Sequence, residues 1–232
     1  MGVFSELRGD VPLAVYIDLK SPYAFVAIEP TRAMASAMGI AIDWRPFTLD
    51  IPSYLGSAEL DEHGRVASSQ RTPQQWTGVR YAYRDAQRYA SLRGKTLRGT
   101  EKIWDSSLAA IAMLWVKQQR HDLFDRFVDE AYARFWRRDL DIEDLAVLEA
   151  TLKGVDPELV AGGGFRTYAN GPGREAHDEL NRTAFDAGVY GVPTYLVADE
   201  MWFGREHLPR IEWLLSGKRG PAPGVANRAF RA

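Results

Sequence analysis

Ser21-Pro22-Tyr23 is the first stretch of this sequence that offers chemistry. An apolar run at residues 13–19 ends just before it, and apolar residues at helical spacing (Tyr23, Ala24, Val26, Ala27, Met34, Met38) begin at once. A serine where a strand meets a helix is an N-cap, and Pro22 suits the first helical position because its missing N–H would be unpaired there anyway. The first-turn N–H groups have no intrahelical acceptor and carry the positive end of the helix dipole. A hydroxyl beside those donors either only caps the helix or also holds an anion there. Both readings stay open on this stretch alone.

The bulk composition narrows the chemistry. The chain has no cysteine, which excludes disulfides, thiolate metal sites and any reaction run on a thiol of its own. Its four histidines, His63, His121, His177 and His207, show no ligand spacing, so no metal is expected. With 232 residues and 46% hydrophobic content, the chain suits one large domain or a small domain carrying an insertion. A net charge of −2 gives no basic field for nucleic acid. No apolar run reaches the length of a membrane span, and residues 1–10 have no basic, apolar leader. A cytoplasmic location and a small-molecule substrate, with neither membrane nor nucleic acid as partner, are the expectations.

The elements that must position Ser21 follow from periodicity. Strands at residues 13–19 and 40–47 flank a helix over 22–38 that Gly39 closes, a βαβ unit that predicts a parallel pair. Residues 51–69 are polar and read as a loop. Thr72, Pro73 and Gln75 form a capping-box start for a helix carrying Trp76, Val79 and Tyr83 on one stripe. Helices at 104–119, 122–136, 141–153 and 175–187 follow, with a break at Gly162-Gly163-Gly164. A strand at 194–198, a turn, a return strand at 201–203 and a last helix from Gly204 end the pattern. Residues 218–232 read as a mobile tail. The order is that of an α/β, thioredoxin-like fold (βαβ…ββα) with an inserted all-helical domain. Residues 11–50 and 188–217 would form the first domain and 51–187 the insertion.

Val192-Pro193 opens the late strand. In thioredoxin folds a cis-proline stands there, facing the first helix N-terminus and exposing the backbone of the preceding residue to an extended peptide. Ser21-Pro22-Tyr23, the central helices with Tyr81, Asp85 and Arg88, Gly188-Val189-Tyr190-Gly191-Val192-Pro193-Thr194-Tyr195, and Trp202-Phe203-Gly204-Arg205-Glu206-His207-Leu208 occur in order. Together they resemble the 2-hydroxychromene-2-carboxylate isomerase and kappa-class glutathione transferase family, a DsbA-like branch of the thioredoxin fold. The resemblance spans about residues 13–217.

That resemblance implies glutathione as cofactor. Ser21, flanked by Pro22 and Tyr23, would hydrogen-bond the glutathione sulfur and favour its thiolate; the nucleophile would then belong to the cofactor. Val192 would pair its backbone with the cysteinyl part, beside a cis Pro193. The γ-glutamyl end would meet Arg205-Glu206, where relatives usually carry Gln-Asp or Ser-Asp. Two more departures follow: no asparagine stands in Thr48-Leu49-Asp50-Ile51-Pro52, and Trp104-Asp105-Ser106-Ser107-Leu108 replaces an Asn-Thr-Leu type sequence. Tyr54, Tyr83, Trp104 and Trp202, with Tyr23, would wall the substrate site, although core packing also accounts for Tyr83 and Trp104. His207 reads as a solvated helix residue; Arg45, Arg88 and Arg98 are candidates to hold a substrate carboxylate, with surface ion pairing the commoner role for such residues. The implied function is a glutathione-dependent isomerase or transferase acting on a small aromatic or unsaturated carbonyl or carboxylate compound, in a chain that the resemblance allows to be a homodimer. The alternative is a DsbA-like member without redox cysteines that binds a peptide or partner without catalysis. Ser21 is expected to donate a hydrogen bond and not to act as nucleophile, since no histidine stands near it in sequence.

Overall fold

The computed structural model describes residues 2–61, 63 and 65–224. In chain order, α1 (Val3–Arg8), β1 (Leu13–Ile17), α2 (Pro22–Met38) and β2 (Ile42–Pro46) come first. α3 (Ile51–Leu55) and the hairpin of β3 (Ala58–Leu60) and β4 (Val66–Ser69) follow. Then come α4 (Pro73–Leu92), α5 (Ser107–Gln119), α6 (Phe124–Arg137), α7 (Leu145–Val155), α8 (Gly164–Ala169) and α9 (Pro172–Asp186). β5 (Thr194–Val197), β6 (Glu200–Phe203) and α10 (Leu208–Leu215) complete the order.

The main sheet runs β2-β1-β5-β6. β1 is parallel to β2 and antiparallel to β5, as a βαβ unit followed by a returning hairpin requires. All five residues of β1 are buried, because helices cover both faces of this central strand. Alternation assigns the faces. Val15, Trp44, Tyr195 and Trp202 share one register row. The Tyr195 hydroxyl lies 3.0 Å from Thr31 Oγ1 of α2, so this row faces α2. The neighbouring row, Tyr16, Arg45, Thr194 and Phe203, faces the other way. There Arg45 donates to the carbonyls of Leu7 (2.5 Å) and Arg8 (2.9 Å), fastening α1 to the sheet.

The helices between β2 and β5 share the core of the sheet, and most of the buried apolar side chains form one cluster. Phe25 of α2 stacks on Tyr132 of α6 with ring centroids 5.5 Å apart, and the Tyr132 hydroxyl donates to the Asp18 carbonyl at 2.9 Å. No described helix is long and apolar enough to cross a membrane.

Several boundaries differ from the sequence expectation. α1 is an addition: six residues give too little periodicity to read, and its anchor, Arg45, lies far along the chain. The expected loop at 51–69 contains α3 and a hairpin. β4 is exposed at every position, so it shows no apolar alternation. α7 starts at Leu145, not at 141. Asp144 is its true cap and accepts from the N–H of Ala146 (2.7 Å) and Val147 (3.2 Å), whereas Asp141 folds onto the Glu143 N–H before the helix begins. α5 starts at Ser107, three residues later than the apolar pattern suggests. At the C-terminus, the Lys218 N–H bonds the Trp213 carbonyl at 2.9 Å and Trp213 Nε1 donates to the Gly220 carbonyl at 3.1 Å. The mobile-tail expectation for 225–232 lies outside the described residues.

Candidate functional site

Ser21 caps α2. Its Oγ accepts from the Ala24 N–H at 3.2 Å, and the residue is 5% exposed. On its other side Oγ faces the Val192 carbonyl at 3.4 Å. The Val192–Pro193 peptide bond is cis. Thr194 Oγ1 donates to the Gly191 carbonyl at 2.7 Å and the Gly204 N–H to the Pro193 carbonyl at 3.0 Å, so the turn before β5 is held from both ends. These bonds bring the backbone of Val192 to the hydroxyl of Ser21.

A cavity of about 990 Å³ opens in front of this pair, at the upper end of the size of small-molecule sites. Ser21, Pro22, Tyr23 and Val192 line it, as do Tyr54, Tyr83 and Trp104 from the expected substrate wall. Four residues named from the sequence stand outside the lining: Pro193, Trp202, Arg205 and Glu206. Trp202 sits in the row that faces α2, and its ring packs against His207 at 5.0 Å. The adjacent residue of β6, Phe203, turns the opposite way and lines the cavity in its place. Arg205 lays its guanidinium 3.3 Å over the Tyr89 ring, a cation–π contact that draws it away. The Glu206 carboxylate folds over Gly204, where an added Cβ would lie 2.4 Å from Oε2. His207 is half-buried against Trp202, with Nδ1 buried and without a hydrogen-bond partner among the described residues, which corrects the expectation of a solvated residue.

Tyr54 is half-exposed at the rim. Burial of its phenol, and then the carboxylates of Asp18 and Asp50, push it up to about 12, so it is a hydroxyl donor throughout the neutral range. Burial likewise raises the phenols of Tyr83 and Tyr23. Tyr83 serves two purposes, since its hydroxyl bonds Thr100 at 3.0 Å and its ring meets Trp136 edge-on at 6.2 Å while it lines the cavity. Trp104 is held by Phe135 (5.8 Å) and by the Lys102 ammonium over its face (4.3 Å).

Charge around the cavity favours anions. Lys20, Arg71, Arg80, Arg84 and Lys102 line it, against Asp50 and Glu101. Lys20, next to Ser21, is 8% exposed and pairs with Asp18 at 3.7 Å. The Asp18 carboxylate also accepts from the Lys20 N–H (3.1 Å) and the Leu49 N–H (2.8 Å), tying the residue before Ser21 to the segment after β2. Arg45, Arg88 and Arg98 serve structure: Arg45 anchors α1, Arg88 pairs with Asp85 at 3.6 Å, and Arg98 reaches the Arg137 carbonyl at 3.4 Å.

One part of the wall was not foreseen. Asn181 of α9 takes the Thr48 N–H on Oδ1 (2.8 Å) and gives an N–H to the Thr48 carbonyl (3.3 Å). One helical turn earlier, His177 Nε2 lies 2.9 Å from Thr48 Oγ1, and His177 Nδ1 lies 2.8 Å from Asp178 Oδ1. Thr48 and Asn181 line the cavity. An asparagine thus reaches this wall from α9, with its amide bonded to the Thr48 main chain. The only sequence signal was a polar pair four residues apart on an amphipathic helix, which by itself reads as a solvated face. Among the described residues, no group of three or more His, Asp or Glu could hold a metal ion.

A family model for the DSBA-like thioredoxin domain matches residues 13–216. The 2-hydroxychromene-2-carboxylate isomerase of Sphingobium xenophagum is 26% identical over 200 residues, covering 85% of this chain and 94% of the relative. A solved 2-hydroxychromene-2-carboxylate isomerase superposes with a TM-score of 0.65 at 22% identity, covering 88% of this chain and 94% of its own. A cytosolic disulfide reductase of Pseudomonas aeruginosa, solved with GSH, superposes with a TM-score of 0.55 at 16% identity over 88% of this chain and 96% of its own.

Proposed function

The chain belongs to the DsbA-like thioredoxin family, and on that footing we propose that it is a glutathione-dependent isomerase or transferase acting on a small aromatic or unsaturated carbonyl or carboxylate compound. The observation that carries the reading is Ser21: a buried hydroxyl at a helix N-terminus, open to a large cavity and facing the backbone of Val192. The isomerase named among the relatives weights the choice toward isomerisation.

The donor set suits glutathione. Ser21 offers a hydroxyl, Val192 a backbone beside a cis-proline, and the rim an excess of cations for a carboxylate. The fit is weaker at the γ-glutamyl end, because Arg205 is engaged by the Tyr89 ring and both Arg205 and Glu206 stand outside the cavity lining; Arg71, Arg80 and Arg84 are the cations at hand on the cavity wall. When bound, glutathione would supply the thiol nucleophile that this chain lacks.

The residues then act as follows. Ser21 Oγ keeps the Ala24 N–H as its donor and turns its own proton from the Val192 carbonyl toward the sulfur. At 3.4 Å the Ser21–Val192 contact is long for an O–H···O bond, so little is lost in redirecting it. The α2 N-terminus adds a favourable field for an anion at the same place. Tyr83, Trp104 and Tyr23 exclude water and offer aromatic faces to a flat substrate. With no cysteine, the chain runs no disulfide exchange of its own. Isothermal calorimetry with glutathione tests the reading. Binding in the micromolar to millimolar range, with the thiolate absorbance of the bound thiol visible near neutral pH, is expected. No heat at millimolar glutathione sinks it.

A further inference from the structure

Thr48, which lines the cavity, is joined bond to bond with His177 and Asp178 behind it, and the proposed role of Ser21 does not use them. Thr48 Oγ1 is 2.9 Å from His177 Nε2, and His177 Nδ1 is 2.8 Å from Asp178 Oδ1. The chain runs from inside to outside: Thr48 lines the cavity, His177 is 4% exposed, and the Asp178 side chain is 62% exposed. An ionised carboxylate can only accept, so the proton between Asp178 and the imidazole belongs on Nδ1. In the neutral ring Nε2 is then the acceptor, and the Thr48 O–H points at it. Among the described residues Thr48 Oγ1 makes no second hydrogen bond, which leaves its lone pairs to a donor in the cavity. This is the arrangement in which a hydroxyl takes up a proton as it gives its own to an imidazole. Asn181 holds the Thr48 main chain by both its N–H and its carbonyl, which fixes the hydroxyl against α9.

We propose that Thr48, His177 and Asp178 form a proton relay serving the cavity, with Thr48 meeting the ligand and His177 storing the proton. The relay rests on the glutathione reading for the identity of the proton donor, a thiol bound in the cavity. In one direction Thr48 Oγ1 takes the ligand proton while its own hydrogen passes to His177 Nε2. The S–H bond pair stays on the ligand, the imidazole becomes cationic, and Asp178 remains an anion that steadies it. In the other direction Nε2 returns its proton to Thr48, and Thr48 delivers one to the anionic oxygen or carbon that forms on the substrate. One proton is taken and one is returned, so the relay ends as it began and needs no further reactant. Thr48 is the catalytic residue of the set; His177 and Asp178 act through it.

NMR of the imidazole nitrogens in the full chain tests this, run beside calorimetry with glutathione as the probe. In the ligand-free protein the His177 proton is expected on Nδ1, with none on Nε2. Saturating glutathione should shift the His177 nitrogens to the imidazolium pattern in the wild type and in Thr48→Ser, but not in Thr48→Val, with calorimetry showing glutathione bound to all three. A proton on Nε2 in the free protein overturns the relay, and so does an imidazole that stays neutral in the glutathione-saturated wild type. If calorimetry shows no glutathione bound, the glutathione reading falls and the relay, which takes its proton from that thiol, falls with it; bound glutathione beside a neutral His177 overturns the relay alone.

Discussion

Ser21 Oγ stands 3.4 Å from the carbonyl oxygen of Val192, a residue 171 positions further along the chain. The first residue caps a helix and the second precedes a cis-proline, and neither feature alone marks a site. Their meeting sets a helix N-terminus, a hydroxyl and a strand-like backbone at one wall of a cavity. It also leaves the serine proton loosely held, ready for a better acceptor.

Replacing Ser21 by alanine removes that proton. A hydrogen bond to a charged group contributes about 1.5–3 kcal/mol, so the pKa of the bound thiol should rise by roughly one to two units. The thiolate absorbance of the glutathione complex, followed against pH, reads this directly; an unchanged titration would remove Ser21 from its role. The lost cap should also cost about 1 kcal/mol in urea unfolding.

Gly191→Ala probes the other half of the pair. An added Cβ would lie 2.6 Å from Cε2 of Phe203, whose ring is 37% exposed and packs on Tyr190 at 5.0 Å. The ring can swing aside, so the fold should survive, but the cavity mouth beside Val192 changes shape. Glutathione affinity should fall by about tenfold, equivalent to about 1.4 kcal/mol, measured by calorimetry. Wild-type affinity would show that this wall does not touch the ligand.

Asn181→Ala should loosen the segment after β2. The Thr48 N–H loses its acceptor at 2.8 Å, and the loss of such a partly buried hydrogen bond costs about 0.5–1.5 kcal/mol. Equilibrium urea unfolding checks the loss. A variant as stable as the wild type would mean that the α9 clamp on Thr48 is dispensable.

Asp43 gives the fold an acid-sensitive joint. Burial pushes its carboxyl up, but the hydrogen bond and charge of Lys117, with those of Arg45, outweigh this and hold it below the ordinary value of 3.8. A carboxyl depressed in the folded state stabilises fully above its unfolded value, and that contribution is lost as pH falls through the folded value. Stability from this group should therefore be constant at neutral pH and decline below about pH 4. Asp43→Asn should cost about 2 kcal/mol at neutral pH, less than a fully buried pair would, and should flatten the acid limb. Urea midpoints across pH 3–7 for both proteins decide it; parallel curves would contradict the assignment.

The sequence by itself determined the βαβ, helix block and ββα order and several of the caps, but not α1, α3, the β3–β4 hairpin or the start of α7. The capping box of Thr72 and Gln75 holds in the structure, Ser21 accepts from the Ala24 N–H, and Gly39 closes α2 in the left-handed region at φ 64°. These are legible because a cap acts over three or four residues and a periodic stripe over one helix. Tertiary structure decided what faces what. Trp202 and Phe203 are neighbours of similar character, and only the register of β6 against β5 sends one toward α2 and the other to the cavity. Arg205 and Glu206 stand where a ligand's charges were expected, but the Tyr89 ring, on a helix more than a hundred residues earlier, draws the arginine off. His177 reads in sequence as one polar residue on an amphipathic helix. It becomes the partner of Thr48 only because α9 packs against the segment leaving β2. Local hydrogen bonding writes the elements into the sequence, whereas a site is assembled by packing between segments far apart in the chain, and no short-range pattern carries that.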